Sequence, residues 1–136
     1  MKSIGETLAL LALASALACG NESAPATPMP TSGAAAASLV TPNADDGAIL
    51  VSLTGPGITS VQSASSAYFV QSRVVSASEV RLLVVGNVSA GVVATIVVPD
   101  VRRIGEYSGS VLEVASRGDE VRNSVAGYAI HLAVSQ

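Results

Sequence analysis

The sequence predicts an all-β protein, an antiparallel β-sandwich of about seven or more strands. Residues 49–54 alternate with a period of two, with Ile49, Val51 and Leu53 on one face, which is the spacing of a strand that buries one side. The run ends at Gly55-Pro56-Gly57, a strong turn signal. Several short runs of this kind, separated by turn residues, are typical of a sandwich.

The predicted strands share an enrichment in valine, isoleucine and leucine and lie between short turn segments. They cover residues 49–53, 58–62, 68–75, 80–85, 92–98, 107–115 and 127–134. No stretch of this part of the chain has the period of an amphipathic helix. We therefore expect residues 43–136 to form a single domain of jelly-roll or immunoglobulin-like type.

The first nineteen residues are typical of an export signal. An apolar run from Leu8 to Ala18 follows Lys2, and it is shorter than the roughly 20 residues that span a bilayer. The segment Ser15-Ala16-Leu17-Ala18-Cys19 resembles the lipobox of bacterial lipoproteins. The resemblance implies that residues 1–18 form a removable signal-peptide helix and that Cys19 is lipidated. The alternative is an incidental cysteine beside an ordinary cleavage site.

Residues 19–42 are predicted to form a disordered linker after the lipid. The segment is rich in alanine, serine and threonine and contains Pro25, Pro28, Pro30 and Pro42, and prolines donate no hydrogen bond to a sheet. A first strand built from Ala36 to Val40 is the alternative for its last residues.

The order of strands and glycines resembles the cohesin-like β-sandwiches of bacterial surface proteins. The stretch DDGAILVSLTGPGITSVQSA resembles their opening strands, and VRLLVVG and GVVATIVVPDV resemble their paired central strands. The resemblance covers residues 45–120. It implies a jelly-roll-type sandwich that acts by binding another protein.

Two predicted strands, Leu82–Val85 and Val92–Val98, are apolar on both faces, although a sandwich strand needs only one apolar face. One interpretation is that a loop or the end of the linker covers the second face. The other is an exposed apolar strip that binds a partner, and its candidate residues are Leu83, Val85, Val93 and Val97.

Charge and residue inventory argue against several other functions. The net charge is −3, so the basic surface that binds nucleic acid is not expected. His131 is the only histidine and is predicted to face away from the apolar side of its strand. No nucleophile motif accompanies it, and we expect neither an enzyme nor a cofactor. Glu113 is the acidic residue predicted to point inward, with Val111 and Ala115.

Metal, sugar and integrin binding are weaker alternatives. Asn43, Asp45 and Asp46 could hold calcium loosely, but a solvated Asp-Asp-Gly turn is the preferred interpretation, and zinc lacks ligands. Sugar binding by stacking is unsupported, since the aromatic residues are Tyr68, Phe69, Tyr107 and Tyr128. The tripeptide Arg117-Gly118-Asp119 matches an integrin-binding motif but also suits a hairpin turn.

The sequence as a whole favours a lipid-anchored protein of the cell envelope, in the outer membrane if the cell is Gram-negative. Its sandwich is expected to bind a protein partner or organise the envelope without catalysis. The alternatives are a structural spacer with no specific ligand, a carbohydrate-binding module, and a hydrolase that uses carboxylates.

Overall fold

The computed structural model describes residues 24–136, which form eight antiparallel strands and one short 3-10 helix. The strands are β1 (Gly33–Val40), β2 (Asp46–Thr54), β3 (Ser60–Ser63), β4 (Phe69–Ser76), β5 (Glu79–Val88), β6 (Gly91–Val98), β7 (Ser108–Ser116) and β8 (Ala129–Val134), and the 3-10 helix is Val101–Glu106. Within this described part of the chain, no helix has the length and apolar character needed to cross a membrane.

The strands form one nearly closed sheet in the order β3-β6-β1-β8-β7-β2-β5-β4. The sheet folds over as two layers of four strands, β3-β6-β1-β8 and β7-β2-β5-β4. The layers are joined by a single residue pair between β7 and β8, Gly109 with Ile130. The predicted all-β antiparallel fold class is therefore confirmed, and each of the seven predicted runs overlaps an observed strand.

The core lies between the two layers and is built from small and medium aliphatic side chains. The residues that are fully buried include Ala35, Ala37, Ile96 and Val98 from the first layer and Ile49, Val51, Leu53, Leu82 and Val84 from the second. Their alternate spacing along each strand is the period of two that the sequence showed.

The predicted linker is wrong over its last residues, because β1 lies within it. β1 is a central strand that pairs with β6 on one side and β8 on the other. Ala35 and Ala37 are fully buried there. The alternative strand, Ala36–Val40, is correct in place but shorter than the observed Gly33–Val40. The folded domain therefore begins before residue 43.

The residues just before β1 are also attached to the domain. The backbone N–H of Val101 donates to the carbonyl of Thr31 (2.8 Å), and the N–H of Thr31 donates to Asp100 Oδ1 (3.3 Å). Hydrogen bonds from the Arg102 side chain hold the pKa of Asp100 well below its usual value, so this carboxylate is charged at neutral pH. Composition alone had predicted a disordered linker at these residues.

Gly109 allows the close approach of the two layers at their only β7–β8 residue pair. A Cβ at this position would lie 2.5 Å from Ile130 Cγ2 and 2.9 Å from Ile130 Cβ. Gly105, in the 3-10 helix, has no atom within 4 Å of such a Cβ. The two glycines thus differ in their surroundings, although they are close in the sequence.

We expect Gly109→Ala to destabilise the domain by about 1–3 kcal/mol, because the added methyl group overpacks this junction. Gly105→Ala is the matched control and should change the free energy of unfolding by less than about 1 kcal/mol. Urea unfolding followed by circular dichroism measures both values. Equal effects of the two substitutions would contradict the tight junction.

Candidate partner-binding surface

The outward side of the β7-β2-β5-β4 layer carries a continuous apolar surface. Cross-strand pairing aligns its side chains in rows, since directly paired residues lie on the same face of a sheet. One row is Phe69, Val85, Ala48 and Ala115, and the next is Gln71, Leu83, Leu50 and Glu113. We call this surface, Ala48, Leu50, Phe69, Leu83, Val85 and Ala115, the outer apolar face.

Several side chains of the outer apolar face are open to solvent. The exposed fraction is 63% for Phe69, 37% for Leu83 and 38% for Val85. An open groove of about 490 Å³ runs over the face, lined by Leu50, Gln71, Ser72, Arg73, Arg81 and Leu83. Large aliphatic and aromatic side chains grouped in this way on a surface are typical of an interaction site.

Two arginines lie side by side at one end of the groove. Arg73 of β4 is paired directly with Arg81 of β5, and like charges in this position destabilise a sheet. The Nε of Arg81 lies 3.5 Å from Glu79 Oε1, and Glu79 also accepts a hydrogen bond from Ser52. Among residues 24–136, Arg73 is the one arginine with neither an ion pair nor a side-chain hydrogen bond. This end of the groove is therefore positively charged.

The structure separates the four predicted partner-binding residues. Leu83 and Val85 lie together on the outer apolar face, and their role in binding stays a prediction. Val97 belongs to β6 in the other layer and is half-buried. The predicted single strip across both strands is not formed, because β5 and β6 belong to different layers.

Val93 is fully buried, so its prediction as a surface contact is wrong. The reason is a bulge in β6. Ala37 of β1 pairs with Ala94, and the next residue, Ser38, pairs with Val92, which leaves Val93 without a partner residue. The extra residue places both Val93 and Ala94 in the core and turns Val92 outward, with an exposed fraction of 44%.

At one end of the sandwich, Asp46 forms a buried polar cluster that joins the two layers. Its carboxylate is fully buried. The hydroxyl of Thr41 donates to Oδ2 (2.6 Å), and Oδ1 accepts from Tyr128 Oη (2.9 Å) and from Arg122 Nε (2.9 Å). The amide of Asn43 in turn donates to Tyr128 Oη (2.7 Å). The cluster connects the ends of β1 and β2 to the segment that precedes β8.

Arg122 links Asp46 to Asp45 at the surface. Its Nη2 lies 2.8 Å from Asp46 Oδ1 and 2.5 Å from Asp45 Oδ1. The hydrogen bond from Arg122 lowers the pKa of Asp45. Burial opposes the charge on Arg122, but its hydrogen bonds to both carboxylates outweigh burial and raise its pKa. The prediction of a solvated turn is therefore wrong for Asp46.

The weaker calcium alternative is not supported by this geometry. Carboxylate oxygens of Asp45 and Asp46 accept hydrogen bonds from Arg122, and Asp46 accepts another from Tyr128. Asn43 donates its amide N–H to Tyr128 Oη. Within residues 24–136, no group of three or more histidine, cysteine, aspartate or glutamate side chains is arranged to hold a metal. Sequence reasoning missed the cluster because nothing near Asp46 in the chain indicates Arg122 or Tyr128.

The residues considered for catalysis lie on the surface. His131 is exposed, as its position opposite Ile130 in the strand predicted. Glu113 is also exposed, and its predicted inward orientation is wrong. Leu50 pairs with Glu113 and Val51 with Val111, so a bulge at residue 112 changes which residues of β7 point inward. Glu113 thus lacks the buried environment that is typical of a catalytic general acid.

The aromatic residues form no exposed stacking surface for sugar. Tyr107 is buried and donates a hydrogen bond to the carbonyl of Pro56 (2.5 Å). Tyr68 and Tyr128 are partly buried against the core. Phe69 alone is widely exposed, and it belongs to the outer apolar face.

The tripeptide 117–119 forms a turn after β7. Asp119 has a φ of 61°, and the Arg117 side chain donates to the carbonyl of Ala44 (2.8 Å). Gly118 and Asp119 are therefore explained by the turn, because these residue types readily adopt turn conformations. Cys19, the predicted lipidation site, lies outside the described residues, as does the predicted signal peptide.

We expect Asp46→Ala to destabilise the domain by about 3–5 kcal/mol, because it leaves the donors of the buried cluster unpaired. Asp45→Ala is the matched control, and its effect should be much smaller because the Asp45 side chain is 60% exposed. Urea unfolding followed by circular dichroism measures both. If Asp46→Ala does not fold, Tyr128→Phe tests the same cluster, with an expected loss of about 1 kcal/mol. A fully stable Asp46→Ala variant would contradict the cluster's role.

No protein-family model matches this chain, and no curated protein and no solved structure matches it either. The likeness to lipoproteins and to cohesin-like sandwiches stays at the level of the residues that suggested it. The function of this chain is therefore inferred from its own sequence and surface.

Proposed function

We propose that this protein is a membrane-anchored envelope lipoprotein whose β-sandwich binds another protein without catalysing a reaction. The outer apolar face carries this proposal. It is a grooved surface made by four adjacent strands, and Phe69, Leu83 and Val85 present exposed apolar area on it. A protein partner matches this shape, since protein interfaces combine an apolar centre with a polar rim.

The arginine pair adds charge selectivity to the apolar surface. Arg73 and Arg81 lie at one end of the groove, next to Leu83 and Gln71. Their direct pairing is unfavourable for folding, because like charges face each other. A carboxylate from a partner would relieve this repulsion and gain a charge-assisted hydrogen bond. The surface therefore fits a partner segment with apolar and acidic side chains.

The anchor part of the proposal rests on the residues around Cys19. Acyl chains contribute about 0.8 kcal/mol for each buried methylene group, so two or more chains hold a protein on a membrane firmly. The segment between Cys19 and β1 would connect the lipid to the sandwich. An anchored binding domain of this kind concentrates its partner at the membrane surface.

We expect Val85→Asp to abolish partner binding, because it places a carboxylate in the centre of the outer apolar face. Val92→Asp is the matched control. Val92 is also an exposed valine of a strand, 44% against 38% for Val85, but it lies in the other layer. Neither substitution should cost more than about 1 kcal/mol of stability, which is the range of strand propensities.

The experiment uses the full chain with a C-terminal affinity tag, expressed in its natural cell and isolated from the membrane in mild detergent. Mass spectrometry then identifies proteins that co-purify in near-stoichiometric amounts. A protein that is retained with the natural chain and with Val92→Asp, but lost with Val85→Asp, supports the proposal. If the co-purifying protein is lost with Val92→Asp but retained with Val85→Asp, or if no protein co-purifies, the proposed binding function is contradicted. A structural spacer is then favoured.

A further inference from the structure

Strand β4 has a free edge with unsatisfied backbone groups. Among the strands of residues 24–136, it is the last in the sheet and pairs only with β5. The pairing is regular from Phe69 to Val74, and a bulge follows at Val75. Along this stretch, alternate N–H and C=O groups face away from β5, as in any edge strand. The opposite edge, β3, has only four residues, so β4 offers the longer edge for pairing.

The inward side of β4 is also incompletely covered. Val80 and Leu82 of β5 are buried by the opposite layer, with exposed fractions of 4% and 0%. Their partners on β4, Val74 and Ser72, point the same way but are exposed, and the exposed fraction of Val74 is 68%. The core therefore reaches Val70 near the start of β4 but leaves Ser72 and Val74 uncovered. An additional strand beside β4 would cover apolar surface that the domain itself leaves open.

The charge on β4 restricts which strand can pair with it. In an antiparallel pair of two β4 strands, each copy would bring Arg73 and Arg81 to the same region. Each copy has one nearby carboxylate, Glu79, for its two arginines, so the remaining positive charges would repel one another and disfavour a second copy of this chain. A segment that carries carboxylates on its outward face would instead lie beside Arg73 and neutralise it.

We propose that a partner protein adds a strand to the free edge of β4, using an extended segment in which apolar and acidic residues alternate. The acidic side chains lie beside Arg73 on the outward face, and the apolar side chains cover Val74 on the inward face. Main-chain hydrogen bonds to β4 give the register, as in other cases of strand addition. This inference rests on the proposed protein-binding function and specifies how the partner binds.

The probe is a fluorescein-labelled, N-acetylated nine-residue peptide of alternating valine and glutamate. The comparison peptide has lysine in place of each glutamate. Binding to the full chain in detergent is measured by fluorescence anisotropy. We expect the glutamate peptide to bind and the lysine peptide to bind at least about tenfold more weakly, a difference of about 1.4 kcal/mol.

Val74→Lys blocks the edge with an inward-pointing charge, which prevents strand addition. It should weaken binding of the glutamate peptide about tenfold or more. Val121→Lys is the matched control, since Val121 is 58% exposed and lies after β7, away from β4. This control should bind the peptide like the natural chain. Amide hydrogen exchange should slow at alternate residues of β4 when the peptide is bound.

Three results with the peptides would overturn the inference. They are failure of the glutamate peptide to bind, equal binding of the two peptides, and binding without slower exchange in β4. Dimerisation of the full chain with slower exchange in β4 would also overturn it, because the occupant would then be a second copy.

Co-purification of the natural partner with the two variants distinguishes failure of strand addition from failure of the proposed binding function. If co-purification is lost with Val85→Asp and unchanged with Val74→Lys, the outer apolar face binds the partner and strand addition is wrong. If both substitutions abolish co-purification while Val92→Asp and Val121→Lys do not, both proposals are supported. If neither abolishes it, both are contradicted.

Discussion

The buried carboxylate of Asp46 is the interaction on which the arrangement of the two layers depends. Backbone pairing joins the layers through only one residue pair, so the junction needs other contacts. Asp46 accepts hydrogen bonds from Thr41, Arg122 and Tyr128, which lie after β1 and in the segment before β8. A buried charge is costly unless its partners stay in place. The cluster therefore fixes the end of β1, the start of β2 and the approach to β8 together.

This arrangement leaves one layer with an outward surface that folding does not require. The inward residues of β2 and β5 already supply the core, while Leu83 and Val85 stay exposed on the other side of β5. Arg73 beside Arg81 adds repulsion within the same layer. Exposed apolar area lowers the solubility of an isolated domain, and adjacent like charges lower its stability. Their occurrence on a single surface is the observation on which the proposed protein partner rests.

Local patterns in the sequence predicted the strands well because alternation and turn residues act over a few positions. They failed at β1, where alanines such as Ala35 and Ala37 carry little hydrophobic signal yet fill a tightly packed central strand. The predicted orientations of Val93 and Glu113 were wrong because β6 and β7 contain bulges. One extra residue in a strand reverses which of the following residues point inward. The burial of Asp46 was not predictable, because its partners are distant in the chain. For the candidate site, the sequence predicted the apolar residues of β5. It did not predict that residues of β2, β4 and β7 lie beside them on the same face of the sheet.

The most direct test of the account is site-specific photo-crosslinking in the natural cell. A benzophenone side chain replaces Leu83 on the outer apolar face or, as the control, Val92 on the other layer, and the cells are irradiated. We expect one discrete crosslinked product from position 83 and none from position 92, because the proposed partner would cover only the outer apolar face. Equal crosslinking at both positions, or none at position 83, would contradict the account.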